Sequence, residues 1–208
     1  VIYTRNRAIK EAKGDYILQL DGDDKLGAFF LEKTVPVLNE KKNVGIVFCQ
    51  TELFGEKNGV WDRGEYTIKR QLTSNLIVIT ALFRKIDFNM TNGYNEDFKD
   101  GLEDWDFWLT LIELGRKVIE VSSIQFYYRI ELNSRNHIIN DQKNLKRLIF
   151  ENHTKLYLNL GLDPVNLLWE KRKDEDEINS LLVFKNSMDY KVGNLLLSPL
   201  RFLKKLFR

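Results

Sequence analysis

Long apolar runs are missing from this chain, cysteine is all but absent, and neither sign of charge dominates. No stretch reaches the roughly 18 consecutive apolar residues of a membrane-spanning helix, so neither such a helix nor a secretory leader is expected in these residues. The single cysteine, Cys49, excludes an internal disulfide framework and suits a reducing compartment. Its place in the apolar run VGIVFC reads as core packing and not as a nucleophile. Only two histidines occur, His137 and His153, and they lack the spacing of a metal-ligand pair. A net charge of +2 lacks the basic excess of a general nucleic-acid binder. What is present is core material: 43% of the 208 residues are hydrophobic and 12% aromatic, enough for one medium domain with an appendage.

The pattern along the chain is that of an α/β protein. Val1–Thr4 has strand composition, residues 6–13 are helical, and Gly14 stands where a helix would stop. Tyr16–Leu20 is apolar enough for a buried strand, so the opening reads strand, helix, strand around a mostly parallel sheet. A helix is expected over residues 28–39, a buried strand over 44–49, and a hairpin around Asn58-Gly59. Further strands are expected at 76–83, 118–121 and 124–128, and a helix at 102–114. One long amphipathic helix is expected over 140–160, with His153 on its surface. Asp163-Pro164 then starts another helix.

Two acidic knots carry the chemistry. In YILQLDGDD an apolar strand ends in Asp21, Asp23 and Asp24, separated only by Gly22. Three like charges at the carboxyl end of a strand are relieved most directly by a divalent cation, and hard oxygen ligands suit Mg2+ or Mn2+ shared with a phosphate. Gly22 permits a tight turn there and a close ligand approach. Capping of the next helix is the plainer alternative. The second knot runs through Glu96, Asp97, Asp100, Glu103, Asp104 and Asp106. Helix capping can explain acids at such a loop-to-helix junction too, but a positioned carboxylate there can also serve as a general base. Trp105, Phe107 and Trp108 beside it read as the inner face of the helix.

Taken in order, TRNRAIKEAKGDYILQLDGDD, NGYNEDF, LEDWDFWLTLIELG and FYYRIELNS resemble the family 2 glycosyltransferases of GT-A fold, over about residues 1–136. The resemblance implies a metal-dependent, inverting transfer of a sugar from a UDP- or GDP-sugar donor to a glycan or lipid-linked acceptor, as in bacterial surface polysaccharide synthesis. It implies that Asp104 is the catalytic base and that Glu103 contacts the acceptor or orients the site. Arg5, Asn6, Asp21, Asp23 and Arg129 are implied on the donor side. The Mn2+ or Mg2+ is assigned to Asp23, with Asp21 and Asp24 in support. The family also opens with a strand, a helix and a second strand bearing an acidic base-holding motif, which these residues do not contain. A partial catalytic domain over 1–136, truncated at its N-terminus, is therefore expected. A non-catalytic fragment or pseudoenzyme acting as an interaction domain is the alternative. A phosphatase of the haloacid dehalogenase type comes third, since Lys25 stands where that family has Thr or Val.

Residues 137–208 read as a helical extension ending in SPLRFLKKLFR. There Arg201, Lys204, Lys205 and Arg208 share one face of a helix, opposite Leu200, Leu203 and Phe207. A basic amphipathic helix suits an anionic membrane surface, although docking on the protein's own core accounts for it as well. A cytoplasmic location, peripheral on the inner face of the plasma membrane, is the matching expectation.

Overall fold

The computed structural model describes residues 1–131, 142–162 and 164–187. Two compact units divide the chain, residues 1–160 and 161–208. The expected boundary at residues 136 and 137, His137 itself and the basic segment 199–208 all lie outside the described residues.

The first unit opens with α1 (Ile2–Glu11), β1 (Tyr16–Leu18), β2 (Lys25–Leu26) and α2 (Phe30–Glu40). It continues through β3 (Val44–Gly55), β4 (Gly59–Val60), α3 (Ile68–Thr73), β5 (Leu82–Arg84) and α4 (Lys85–Asn89). It ends with α5 (Glu103–Glu113), β6 (Lys117–Ile130), α6 (Gln142–Asn152) and α7 (Thr154–Asn159). The sheet runs β1-β5-β3-β6-β2, with β4 folded back on β3. Its longest ladder is the parallel pairing of β3 with β6, which extends from Val44 opposite Lys117 to Gly55 opposite Ile130. The other pairings are short and antiparallel. The apolar run 44–49 fills the middle of this sheet and is buried on both faces, as a central strand requires.

Several elements differ from the sequence reading. Residues 1–4 do not form a strand: Ile2–Glu11 is one helix, because Ile2, Arg5 and Ile9 recur at helical spacing and the two isoleucines are buried. The strands expected at 118–121 and 124–128 are one strand. Val121 pairs with Cys49 and Ile124 with Gln50, so Ser122 and Ser123 bulge out between them without breaking it. Of residues 76–83 only the end joins the sheet, and Leu76, Ile77 and Val78 are buried as irregular chain. The Asn58-Gly59 hairpin forms, with Leu53 opposite Gly59. In the second unit α8 (Pro164–Asn186) begins at its proline.

Two buried basic side chains tie the elements together. Arg84, at the end of β5, donates to the carbonyls of Val44 (2.9 Å), Leu38 (2.5 Å) and Lys41 (3.2 Å), so it closes the exit of α2. His153 is not a surface residue: at 2% exposure it lies between Asp106 and Glu113 of α5, with Nε2 3.2 Å from Asp106 and Nδ1 3.1 Å from Glu113. Asn152 Nδ2 donates to the same Asp106 oxygen at 3.0 Å. The long helix expected over 140–160 is accordingly two, α6 and α7, which meet at this inward-turned histidine.

Burial alone would lower the His153 pKa, but the two carboxylates outweigh it and raise it to about 9, above the ordinary 6.5. The sign for stability follows: the contribution is complete below pH 6.5 and is lost as pH rises through about 9. We expect His153→Gln to be destabilised by roughly 2–3 kcal/mol near pH 6 and by much less near pH 10. Urea unfolding of both proteins at the two pH values checks this; a pH-independent gap would refute it.

Candidate active site

The site is assembled at the N-terminus of α5. Leu102, just before the helix, holds a left-handed backbone (φ 64°), a strained setting for a branched side chain that turns the chain sharply into Glu103 and Asp104. From there the two acids diverge. Glu103 Oε1 accepts from Arg5 Nη1 at 2.6 Å, and Asp104 faces a cleft of about 330 Å³. Arg5 Nη2 reaches Asp21 at 3.0 Å, so one guanidinium on α1 joins the two acidic knots. Burial works against the charge on Arg5, but Asp21 and Glu103 more than offset it and its pKa is raised.

Asp104 is held at both oxygens. Oδ1 accepts the Trp105 amide at 2.8 Å and Oδ2 the Asn75 amide at 2.9 Å. Burial and the adjacent Glu103 charge raise its pKa to about 7, against the lowering effect of those two hydrogen bonds and of Arg5. A carboxylate poised there exchanges protons efficiently near neutral pH. Its helix neighbours turn inward. Trp105 donates from Nε1 to the Gln71 carbonyl at 2.7 Å, and Phe107 packs against Phe83, Tyr94 and Trp108. The three aromatic residues of this motif are thus core, as the helical spacing predicts.

The first knot is a turn closed by the Asp24 amide donating to the Asp21 carbonyl at 3.1 Å. Asp24 is buried; its Oδ1 accepts the Arg129 amide at 2.8 Å, and its Oδ2 has no hydrogen-bond partner. Burial raises its pKa to about 6, with Asp23 and Asp21 adding to the rise and Arg129 opposing it. Arg129 Nε also donates to the Asp23 carbonyl at 3.0 Å, while the Asp23 carboxylate is exposed. A Cβ at Gly22 would meet open space, so the protein's own packing does not demand glycine there and the turn is accessible from outside.

Among the described residues, no three His, Cys, Asp or Glu side chains converge as a protein-only metal cage. The unpartnered Asp24 oxygen and the free Asp23 carboxylate still fit a hard cation that takes one or two carboxylates and completes its shell with phosphate and water.

The structure thus brings Arg5, Asp21, Glu103 and Asp104 to one cleft, and groups Asp23, Asp24 and Arg129 around the turn. Asn6 is placed elsewhere. Its amide donates to the Tyr94 carbonyl and accepts the Tyr94 N–H, both at 2.8 Å, which anchors the 93–95 loop. A Cβ on Gly93 would come within 2.5 Å of that Asn6 oxygen, which explains the glycine. The sequence reading did not find Asn75, Trp61 or Arg63, which line the same cleft; no motif marks them.

Residues 2–146 match the family model described as glycosyltransferase like family 2. The chain belongs to that family. No curated protein matches this glycosyltransferase domain. Solved structures share its GT-A fold. S. aureus TarS 1–349 is 16% identical, with a TM-score of 0.50, over 76% of this chain and 51% of that one. The same fragment in complex with UDP-GlcNAc is 17% identical, with a TM-score of 0.55, over 71% and 45%. Its complex with UDP is 16% identical, with a TM-score of 0.51, over 76% and 51%. The domain therefore spans about half the length of these TarS structures.

Asn75→Ala removes the side-chain hydrogen bond that favours ionised Asp104. We expect the Asp104 pKa to climb further above 7, read by carboxyl carbon NMR titration against the native protein. An unchanged midpoint would show that Asn75 does not tune this acid.

Proposed function

We propose that this domain transfers a sugar from a nucleotide-sugar donor to an acceptor hydroxyl, with inversion, and that Asp104 is the base. The observation that carries the proposal is the Asp104 carboxyl, raised to about 7 and aimed into a cleft shared with the Arg5 ion pairs. The UDP-GlcNAc and UDP complexes of the similarly folded TarS support a UDP-sugar as donor.

The residues divide the work. Asp104 accepts the proton of the attacking hydroxyl as the new bond forms from acceptor oxygen to anomeric carbon. The bond from that carbon to the diphosphate oxygen breaks, and the electron pair leaves with the nucleoside diphosphate. Attack from the face opposite the leaving group inverts the centre, as in single-displacement glycoside chemistry. Arg5 keeps Glu103 and Asp21 in place without leaving either as a competing base. Asp21 is assigned to the donor ribose, and Arg129 is the cation beside the diphosphate. Asp23 and Asp24, with Asp21 in support, would hold Mn2+ or Mg2+, which supplies charge neutralisation for the departing diphosphate. The acceptor is assigned as a glycan or a lipid-linked glycan of surface polysaccharide synthesis. No helix among the described residues is long and apolar enough to cross a membrane. The basic segment 199–208 is the assigned contact with an anionic membrane surface.

The test is donor turnover, read as UDP released from UDP-GlcNAc. Turnover should rise as pH increases through about 7, because only ionised Asp104 accepts a proton. Asp104→Asn should lower it about 10²-fold or more. Asp23→Ala or a chelator should do likewise, with Mn2+ restoring the chelated native protein. Full turnover by Asp104→Asn would remove the base assignment, and turnover indifferent to chelator would remove the metal.

A further inference from the structure

The cleft beside Asp104 contains two arginines in opposite electrostatic circumstances. Arg5 is neutralised by contact with Asp21 and Glu103. Arg63 has no carboxylate in ion-pair contact among the described residues. Its Nη2 donates to the neutral hydroxyl of Thr51 at 3.2 Å, and its guanidinium lies 4.9 Å from the Trp61 ring centre and 5.8 Å from that of Phe48. Glu120 acts on it only through space, favouring its charge without an ion-pair contact. Burial lowers the Arg63 pKa to about 10, with Glu120 opposing part of the fall. A guanidinium against an aromatic wall, with donors left over in an open cleft, is set up to receive a planar or tetrahedral oxyanion.

The wall itself is suited to a sugar. Trp61 is 38% exposed, and its ring lies 5.4 Å from that of Tyr128 at an interplanar angle of 32°. Both rings line the cleft with Arg63 and Asp104. The diphosphate of the donor has its own cation in Arg129, beside Asp23 and Asp24, and none of those three residues lines this cleft. Asp21, assigned to the donor ribose, lines the cleft beside Arg5, so donor and acceptor meet in it, and the acceptor hydroxyl is what must reach the base.

We propose that the acceptor is anionic: Arg63 binds a phosphate or carboxylate that it carries, and the Trp61–Tyr128 wall packs on its sugar ring. This rests on the transferase reading above. It adds a substrate class, acidic glycans, and names the residue that selects them. Attraction to Arg63 and repulsion from Asp104 together orient such an acceptor, with its charged group toward one end of the cleft and its free hydroxyl toward the base.

Calorimetric titration with methyl β-glucoside, with its 6-phosphate and, separately, with UDP tests the assignment. The native protein should bind the phosphorylated glycoside about tenfold or more tightly than the neutral one. Arg63→Gln should abolish that preference and Arg63→Lys should retain part of it. Trp61→Ala should weaken both glycosides. Circular dichroism melts establish that each variant is folded, and Arg63→Lys keeps the test decisive if Arg63→Gln is not. Absence of a phosphate preference in the native protein overturns the proposal. So does an Arg63→Gln loss of UDP affinity that matches or exceeds the loss for the sugar phosphate, which would give Arg63 to the donor. UDP binding with no phosphate preference defeats this inference alone, whereas absence of both UDP binding and UDP-GlcNAc turnover defeats the transferase reading beneath it.

Discussion

Arg5 reaches partners 16 and 98 residues along the chain, and its two ion pairs are the constraint on which the site depends. Asp21, Glu103 and Asp104 would otherwise crowd three negative charges around one cleft. A single guanidinium with a fixed fork can hold two carboxylates at once, which a lysine point charge cannot do with the same geometry. It leaves Asp104 as the carboxylate not tied to a cation. Because α1 carries Arg5, the helix is part of the site and not merely packing beside it. That role requires the first residues to coil, with Ile2 and Ile9 buried on either side of the arginine.

The electrostatic division extends through α5. Asp104 faces the cleft and is held near neutrality by burial, while Asp106, two residues on, points to the opposite side and secures His153 and Asn152. One helix therefore presents a cleft-facing acid to one side and a structural acid to the other. In between, Trp105, Phe107 and Trp108 fix its rotation by packing against buried neighbours. A close-packed aromatic layer allows little rolling of the helix, and so Asp104 keeps its aim.

Much of this was legible beforehand, for identifiable reasons. The central strand, the Asn58-Gly59 hairpin and the core role of the tryptophans follow from local patterns that tertiary packing had no cause to override. The strand expected at residues 1–4 fails because β-branched composition is a weak prior, and a helix buries Ile2 and Ile9 together. The single long helix fails because His153 looks like a surface residue until Asp106 and Glu113 are brought to it from α5.

By itself the sequence determined the two acidic knots, their order, and the apolar run that delivers the first of them to the end of a strand. Ordered motifs are properties of the chain, so the family was already legible there. Only the tertiary structure decided which acids are tied and which is free. Asn6 and Arg5 are chain neighbours, yet one is spent on the Tyr94 backbone and the other on the site. Asn75, Trp61 and Arg63 carry no motif at all and gain meaning only from the cleft they share with Asp104. Proton affinity and charge balance depend on burial and on distances between residues far apart in the chain. Those are fixed when the chain folds.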